Sequence, residues 1–170
     1  LGRSIAEGLA QAGASVCLMD LNPDCAAVAR EMSAGGLAFE GVTADLTDRK
    51  DLERGFLEAV GKLGGLDILV NNAGMQVRGD AEEIELSRWD KLVELNITAV
   101  FELSQLAARQ MIPRGGGKII NVASMLSFFG GFRCSPYAAS KGAVAQLTKA
   151  CSNEWAGKGI NVNAIAPGFM

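Results

Sequence analysis

A tyrosine, a lysine four residues after it and a serine thirteen residues before it are the side chains of this sequence best suited to acid–base work. Tyr137 and Lys141 fall in SPYAASKGAVAQLTKACSNEWA, which predicts a helix with Ser135 at its cap and Pro136 in its first turn. Four residues make about one helical turn, so the phenol and the ammonium face the same way. Ser124 follows the apolar run KIINVA, a predicted buried strand, and sits at its carboxyl end. Together the three could polarise a carbonyl and exchange a proton with it. A phenol titrates near pH ~10, so useful proton transfer near neutrality needs preferential stabilisation of the anion by about 4 kcal/mol, part of which a nearby ammonium supplies. The sequence has no histidine, so such chemistry must fall to Tyr, Lys or carboxylates. An amphipathic helix with an interfacial tyrosine and a solvated lysine gives the same spacing.

The elements that must position these residues alternate along the chain. A helix over 3–12 ends at Gly13, and SVCLMD is a strand ending on Asp20. Asn22 is the expected cap of the next helix, with Pro23 at its first position and Gly35 and Gly36 as its stop. LAFEGVTADL is a third-strand candidate, followed by a helix from about Thr47 to Gly61. LDILVNNAG is a strand with a polar, glycine-ended exit. A long helix from Arg88 to Met111 is expected behind a Ser87 cap, before KIINVAS, the Tyr137 helix and INVNAIAPG. Apolar strands separated by helices predict an α/β protein, a parallel sheet covered on both faces in three layers. Ligands of such sheets bind beyond the carboxyl ends of the strands, where Asp20, Asp45, Asn71, Ser124 and Pro167 all fall.

The 170 residues suffice for one domain. The first residues, LGRSIAEGLAQAG, read as a helix already under way, and APGFM closes no element, so a single domain cut at both ends is expected. The net charge of −3, without a long basic run, argues against a nucleic-acid surface. There is no apolar segment of bilayer-spanning length and no export-type leader, which points to a soluble, cytoplasmic protein. Cys17, Cys25, Cys134 and Cys151 form no CxxC pair, so neither a metal site nor a disulfide framework is indicated.

Several further residues carry candidate roles, each beside a plainer one. Gly2, leading into a helix, fits the last glycine of a phosphate-cradling loop or an ordinary glycine near a chain end. Asp20 ends a strand about twenty residues on, where a carboxylate accepts both ribose hydroxyls of an adenosine and repels a 2′-phosphate. That favours NAD over NADP, although Arg3 could welcome the phosphate, and a turn aspartate fits as well. Asp45, with the backbone of Leu46, suits an adenine amino group or a solvated turn. In NNAG, Asn71 and Asn72 can tie neighbouring backbones together, while Ala73 and Gly74 let a cofactor approach closely. Asn96, a polar amide among apolar helix residues, could bend its helix or hold a water. Arg133, between Ser124 and Tyr137, could pair bidentately with a substrate carboxylate or lie on the surface. Phe128, Phe129 and Phe132 keep an apolar substrate conceivable. Phe101, Leu103, Leu106, Leu147 and Trp155 supply apolar surface for core or subunit contact.

NNAG at 71–74, Asn96, Ser124, YAASK at 137–141 and NAIAPG at 163–168, in that order, resemble the short-chain dehydrogenase/reductase family, a Rossmann-type family using NAD(P)(H). The resemblance covers essentially the whole chain. It implies that Ser124 polarises the substrate carbonyl, Tyr137 exchanges the proton, and Lys141 binds the nicotinamide ribose while tuning Tyr137. Asn96 would anchor a relay water, Asn72, Ala73, Gly74, Pro167 and Gly168 would lie by the cofactor, and Gly2 would match the last glycine of the phosphate loop. SMLSF, GGFR and NEWA further resemble the branch acting on deoxy keto sugar acids, the 2-dehydro-3-deoxy-D-gluconate 5-dehydrogenases. Phe129 stands where glutamine is usual in that branch. Gluconate 5-dehydrogenases and 3-oxoacyl carrier-protein reductases are the competing enzymes, and a non-catalytic Rossmann-type binding protein is the other class. The family implies a small-molecule substrate, no metal, and homodimers or homotetramers built on the two long helices.

Overall fold

The computed structural model describes residues 1–168, which form two compact units divided between Leu66 and Asp67. The first contains α1 (Gly2–Gln11), β1 (Val16–Asp20), α2 (Cys25–Ser33), β2 (Phe39–Thr43) and α3 (Arg49–Leu63). Strands β1 and β2 are parallel, in register from Val16↔Phe39 to Asp20↔Thr43, so α2 is the crossover that parallel pairing requires. Ala6 and Ala10 of α1 meet Ala29 and Met32 of α2 and Phe39 of β2 in one core cluster. The small alanines bring the helices close to the strands, and Gly41 of β2 brings α2 closer still. A Cβ at Gly41 would stand 2.7 Å from Ala26 Cα and 2.9 Å from Cys25 O, both backbone atoms.

Two helix starts in this unit differ from the sequence expectation, for a common reason. Asn22 Oδ1 accepts the Asp24 N–H at 2.9 Å, and this side-chain turn delays α2 until Cys25, with Asp24 rather than Asn22 at the cap. Likewise the Thr47 N–H and hydroxyl donate to Asp45 Oδ1 at 2.8 and 2.7 Å. Thr47 is thereby drawn into a turn, and α3 starts behind Asp48, whose carboxylate accepts from Lys50 N and Asp51 N. Short polar side chains that bond their own backbone compete with the first helical turn.

The second unit contains β3 (Ile68–Asn71), α4 (Leu86–Val93), α5 (Ala99–Met111), β4 (Gly117–Val122), α6 (Ser135–Trp155) and β5 (Ile160–Ile165). Its sheet has the order β3-β4-β5 and is parallel throughout. Asn71, Asn121 and Ala164 lie side by side near its carboxyl edge. Strand β5 alternates, with Ile160 and Val162 buried and Asn161 and Asn163 exposed. The helix expected from Arg88 starts earlier, behind Glu85, and is interrupted by a π turn over Glu94–Thr98. Helix α6 begins at Ser135 itself, behind Cys134, with Pro136 in its first turn as expected. Val100, Ala123 and Val144 form a core cluster joining α5, the end of β4 and α6.

The Gly41 contact yields a direct test of packing in the first unit. Gly41→Ala should destabilise the protein by about 1–3 kcal/mol, because backbone cannot move aside as a flexible side chain can. Urea unfolding at neutral pH measures it, and an unchanged midpoint would contradict the tight β2–α2 approach.

Candidate active site

Within the second unit, the carboxyl edge of the sheet gathers the sequence-predicted acid–base residues. Ser124 lies two residues beyond β4 in extended conformation, with φ −162° and ψ 161°, and caps a single 3-10 turn over Met125–Ser127. Its Oγ accepts the Leu126 N–H at 3.2 Å. A hydroxyl has one donor and two acceptor positions, and among the described residues Ser124 Oγ donates to none. Its proton is therefore free for an incoming carbonyl oxygen.

Tyr137 is half-buried on α6, and the Lys141 Nζ stands 5.6 Å from its ring centroid. Lys141 is only 5 % exposed, which excludes the reading of a solvated helix-surface lysine. Its Nζ donates to Val122 O at 2.5 Å, across from α6 to the end of β4. Burial holds its pKa below the ordinary lysine value of 10.5, since desolvation penalises the charged form.

Asn96 is 1 % exposed, in the π turn. Its Oδ1 accepts the Met75 N–H at 2.9 Å, and its Nδ2 donates to Met75 O at 2.9 Å and to Ser140 Oγ at 3.1 Å. The Ser140 hydroxyl in turn donates a hydrogen bond to Tyr137 O at 2.8 Å. Gly74 opens onto the same place: a Cβ there would lie 3.3 Å from Asn96 Oδ1 and 3.8 Å from Lys141 Nζ. The absent side chain is what lets the strand-end backbone sit against both polar groups. Pro167 and Gly168 adjoin the serine turn, since Met125 N donates to Pro167 O at 3.0 Å.

Asn71 does its tying through side chains. Its Nδ2 donates to Asn121 Oδ1 at 2.8 Å and to Ser104 Oγ at 3.0 Å, and Asn121 Nδ2 continues to Thr148 Oγ1 at 2.9 Å. Asn72, Ala73 and Gly74 follow as the strand exit, with Ala73 and Gly74 exposed. Arg133 has the left-handed φ of 57°; its carbonyl accepts the Gly79 N–H at 3.1 Å, and its Nε pairs with Asp80 Oδ1 at 3.2 Å.

The other candidates lie in the first unit. Gly2 opens α1, and Asp20 ends β1 with its Oδ1 accepting the Asn22 N–H at 2.9 Å. Asp45 holds the Thr47 turn and its own N–H donates to Asp51 Oδ2 at 2.7 Å, while Leu46 is buried.

Sequence reasoning passed over Ser127, Ser140, Asn121 and Thr148. Ser127 was the most accessible of these, because Ser124-Met-Leu-Ser127 has the spacing of a capping box. That box is present: the Ser127 Oγ accepts the Ser124 N–H at 3.3 Å. The same hydroxyl donates to Lys141 O at 2.7 Å.

The model of the short chain dehydrogenase family matches residues 1–170. The chain is 47% identical over 171 residues to the 2-dehydro-3-deoxy-D-gluconate 5-dehydrogenase of Dickeya dadantii, covering 100% of this chain and 67% of that protein. It is 39% identical over 171 residues to the gluconate 5-dehydrogenase of Gluconobacter oxydans, with coverage of 100% and 67%. A crystal structure of a gluconate 5-dehydrogenase from Burkholderia cenocepacia in complex with NADP and tartrate superposes with a TM-score of 0.94 at 40% identity, covering 99% of this chain and 66% of that one. The chain thus spans about two thirds of the length of these relatives, and it shares their parallel-sheet Rossmann-type fold.

The burial of Lys141 predicts a pH effect on stability. Its pKa is lowered on folding, so the unfolded chain binds the proton more tightly and stability from this group rises with pH up to the ordinary value of 10.5. Unfolding free energies of the parent and Lys141→Met, measured from about pH 8 to about pH 10, should differ by a component that grows in the parent's favour with pH. A parallel pair of profiles would refute a lowered pKa.

Proposed function

The chain belongs to the short-chain dehydrogenase family, and from that premise we propose that it interconverts a ketone and a secondary alcohol on a deoxy keto sugar acid, with NAD(H) carrying the hydride. The observation that carries this reading is the buried Lys141 ammonium, held on the Val122 carbonyl and 5.6 Å from the Tyr137 ring centroid. A surface lysine needs no such placement; one that tunes a phenol does.

The residues present fit the nicotinamide end of a dinucleotide. Gly74 and Ala73 expose backbone without bulk, and Lys141 keeps two N–H donors beyond the one given to Val122 O. Asn72, Ala73, Gly74, Tyr137, Lys141, Pro167 and Gly168 would hold that end, and Gly2, Asp20, Asp45 and Leu46 the adenosine end. Residues 1–170 would then act as a single dinucleotide-binding and catalytic domain. Once bound, the nicotinamide supplies or accepts the hydride, which no side chain can do. Ser124 directs its free hydroxyl proton at the substrate carbonyl oxygen, and Tyr137 delivers or removes the proton there. Lys141 stabilises the phenolate by its charge. Asn96 has both side-chain donors engaged, so its part is to hold Met75 and α6 in place, with a relay water left to its backbone or to the remaining lone pair of Oδ1. The terminal nitrogens of Arg133 extend beyond its Nε–Asp80 contact and would read the substrate carboxylate.

The relatives' substrates support the sugar-acid assignment, and the exposure of Phe128, Phe129 and Phe132, at 67%, 60% and 91%, favours a second reading with an apolar β-keto thioester. A second copy of the chain is the proposed partner. Ile97, Phe101, Ala143, Leu147 and Ala150 line an open apolar groove of about 490 Å³ on the two long helices, suited to the family's dimer or tetramer packing.

NADH absorbance, followed with keto sugar acids and β-keto thioesters, should show turnover on the deoxy keto sugar acids. Tyr137→Phe should lower kcat by about 10²–10⁴-fold while leaving the Kd for NADH within about twofold. Undiminished turnover in that variant would refute the mechanism, and preference for thioesters would replace the substrate class. If Asp20 selects the cofactor, kcat/KM for NADH exceeds that for NADPH; the reverse order removes that role. Arg133→Ala should reduce kcat/KM on acidic substrates by about tenfold more than on neutral ketones, the loss of a charged hydrogen bond.

A further inference from the structure

We propose that Ser127 is a positioning residue that fixes Ser124 relative to Lys141, a role that rests on the dehydrogenase reading of this site. The Ser127 hydroxyl is engaged within the protein both as acceptor and as donor. It accepts the Ser124 N–H at 3.3 Å and donates to Lys141 O at 2.7 Å. It is half-buried, and with its proton on Lys141 O it has none left for a substrate. Its action is therefore through the two residues it joins.

Those two residues approach the reaction from different elements. Ser124 follows β4, whereas Lys141 lies on α6, one turn after Tyr137. The Lys141 Nζ already ties the helix to Val122 O at 2.5 Å. Ser127 adds a second tie from the same strand exit to the same lysine, this time through backbone atoms at both ends. Two ties on one residue limit both sliding and rotation of α6 against the serine turn. The Ser124 hydroxyl and the Tyr137 phenol must meet at one carbonyl oxygen, so the limit bears on the reacting geometry. The capping bonds within the turn, Leu126 N to Ser124 Oγ and Ser127 N to Ser124 O at 2.9 Å, make it stiff enough to transmit the constraint. An alanine at 127 leaves the buried Ser124 N–H without its acceptor and releases Lys141 O. The second change falls on the Lys141 backbone and leaves its Nζ on Val122 O, so the ammonium proposed to hold the cofactor keeps its place.

The test compares the parent with Ser127→Ala, Ser127→Cys and Ser127→Thr, with thermal unfolding and NADH affinity measured beside the kinetics. The alanine variant should lose about 10–100-fold in kcat, the scale of a small misplacement at a reacting centre. Its Kd for NADH should stay within about twofold, and the keto substrate's KM should change less than kcat. The near-isosteric Ser127→Cys, a weak donor, should lose a similar factor even if the alanine variant folds poorly, whereas Ser127→Thr, which keeps the hydroxyl, should recover most of kcat. Parent-like kcat in the alanine or cysteine variant overturns the proposal. So does a threonine variant as impaired as alanine, or a kcat loss matched by lost NADH affinity. A Tyr137→Phe control separates the two levels: if it turns over like the parent, the dehydrogenase mechanism fails; if it is inactive while Ser127→Ala is unimpaired, only the positioning role fails.

Discussion

The site depends on keeping the Lys141 ammonium out of water. Taking such an ion from solvent costs several kcal/mol unless hydrogen bonds replace its hydration. The second unit answers with the Val122 carbonyl at the carboxyl end of β4, and this choice of partner has structural consequences. A lysine bonded to its own helix would constrain nothing else. One bonded to the neighbouring strand fixes where α6 crosses the sheet, and hence where Tyr137 stands one turn earlier. The Gly74 backbone can approach the same ammonium because it lacks a side chain. The features that make Lys141 costly to bury are those that bring the serine turn, the phenol and the NNAG exit into one neighbourhood.

Behind that neighbourhood, a buried polar ladder sets the register of the sheet. Asn71 and Asn121 are paired residues of β3 and β4, and their side chains join across the sheet while reaching Ser104 on α5 and Thr148 on α6. Ser104 and Thr148 each donate a hydrogen bond to the carbonyl four residues earlier in their own helix, at 2.6 and 2.8 Å. A one-residue slip of either strand would leave several of these buried groups unpaired, at roughly 1–3 kcal/mol apiece. Apolar side chains at the same positions would pack without such selectivity. Asn71 Oδ1 has no partner among the described residues, so the ladder tolerates one unsatisfied acceptor in return for a unique arrangement of four elements.

How far the sequence discloses this depends on what each feature requires. The parallel strands, the order of elements and the Ser124–Tyr137–Lys141 set follow from hydrophobic runs and helical spacing, which are local. The starts of α2 and α3 do not, because Asn22 and Asp45 have the composition of caps but bond their own turns instead, and only the backbone path distinguishes the two. Arg133 looks like a free guanidinium in GGFRC. Its left-handed backbone and its Asp80 partner come from the meeting of two loops that are more than fifty residues apart. Ser127 is the opposite case: the serine spacing is visible, but its second bond, to a helix backbone atom fourteen residues away, is a tertiary fact.

The π turn at Asn96 shows how a local irregularity can be written in the sequence without looking like one. Leu92, Asn96 and Val100 are all buried at intervals of four. In a regular α-helix each such interval overshoots a full turn by about 40°, so two of them would swing Val100 about 80° away from Leu92. A wide turn over Glu94–Thr98 absorbs that drift and keeps all three facing inward. The widening disturbs the regular ladder of helical bonds, and a segment that offered nothing in exchange would relax to an ordinary helix. Asn96 offers three side-chain bonds, two to the Met75 backbone and one to Ser140. The bulge is thus stabilised by the groups it positions. Those groups are the backbone next to Gly74 and the α6 turn of Tyr137, so the irregular helix and the ordered site are one requirement.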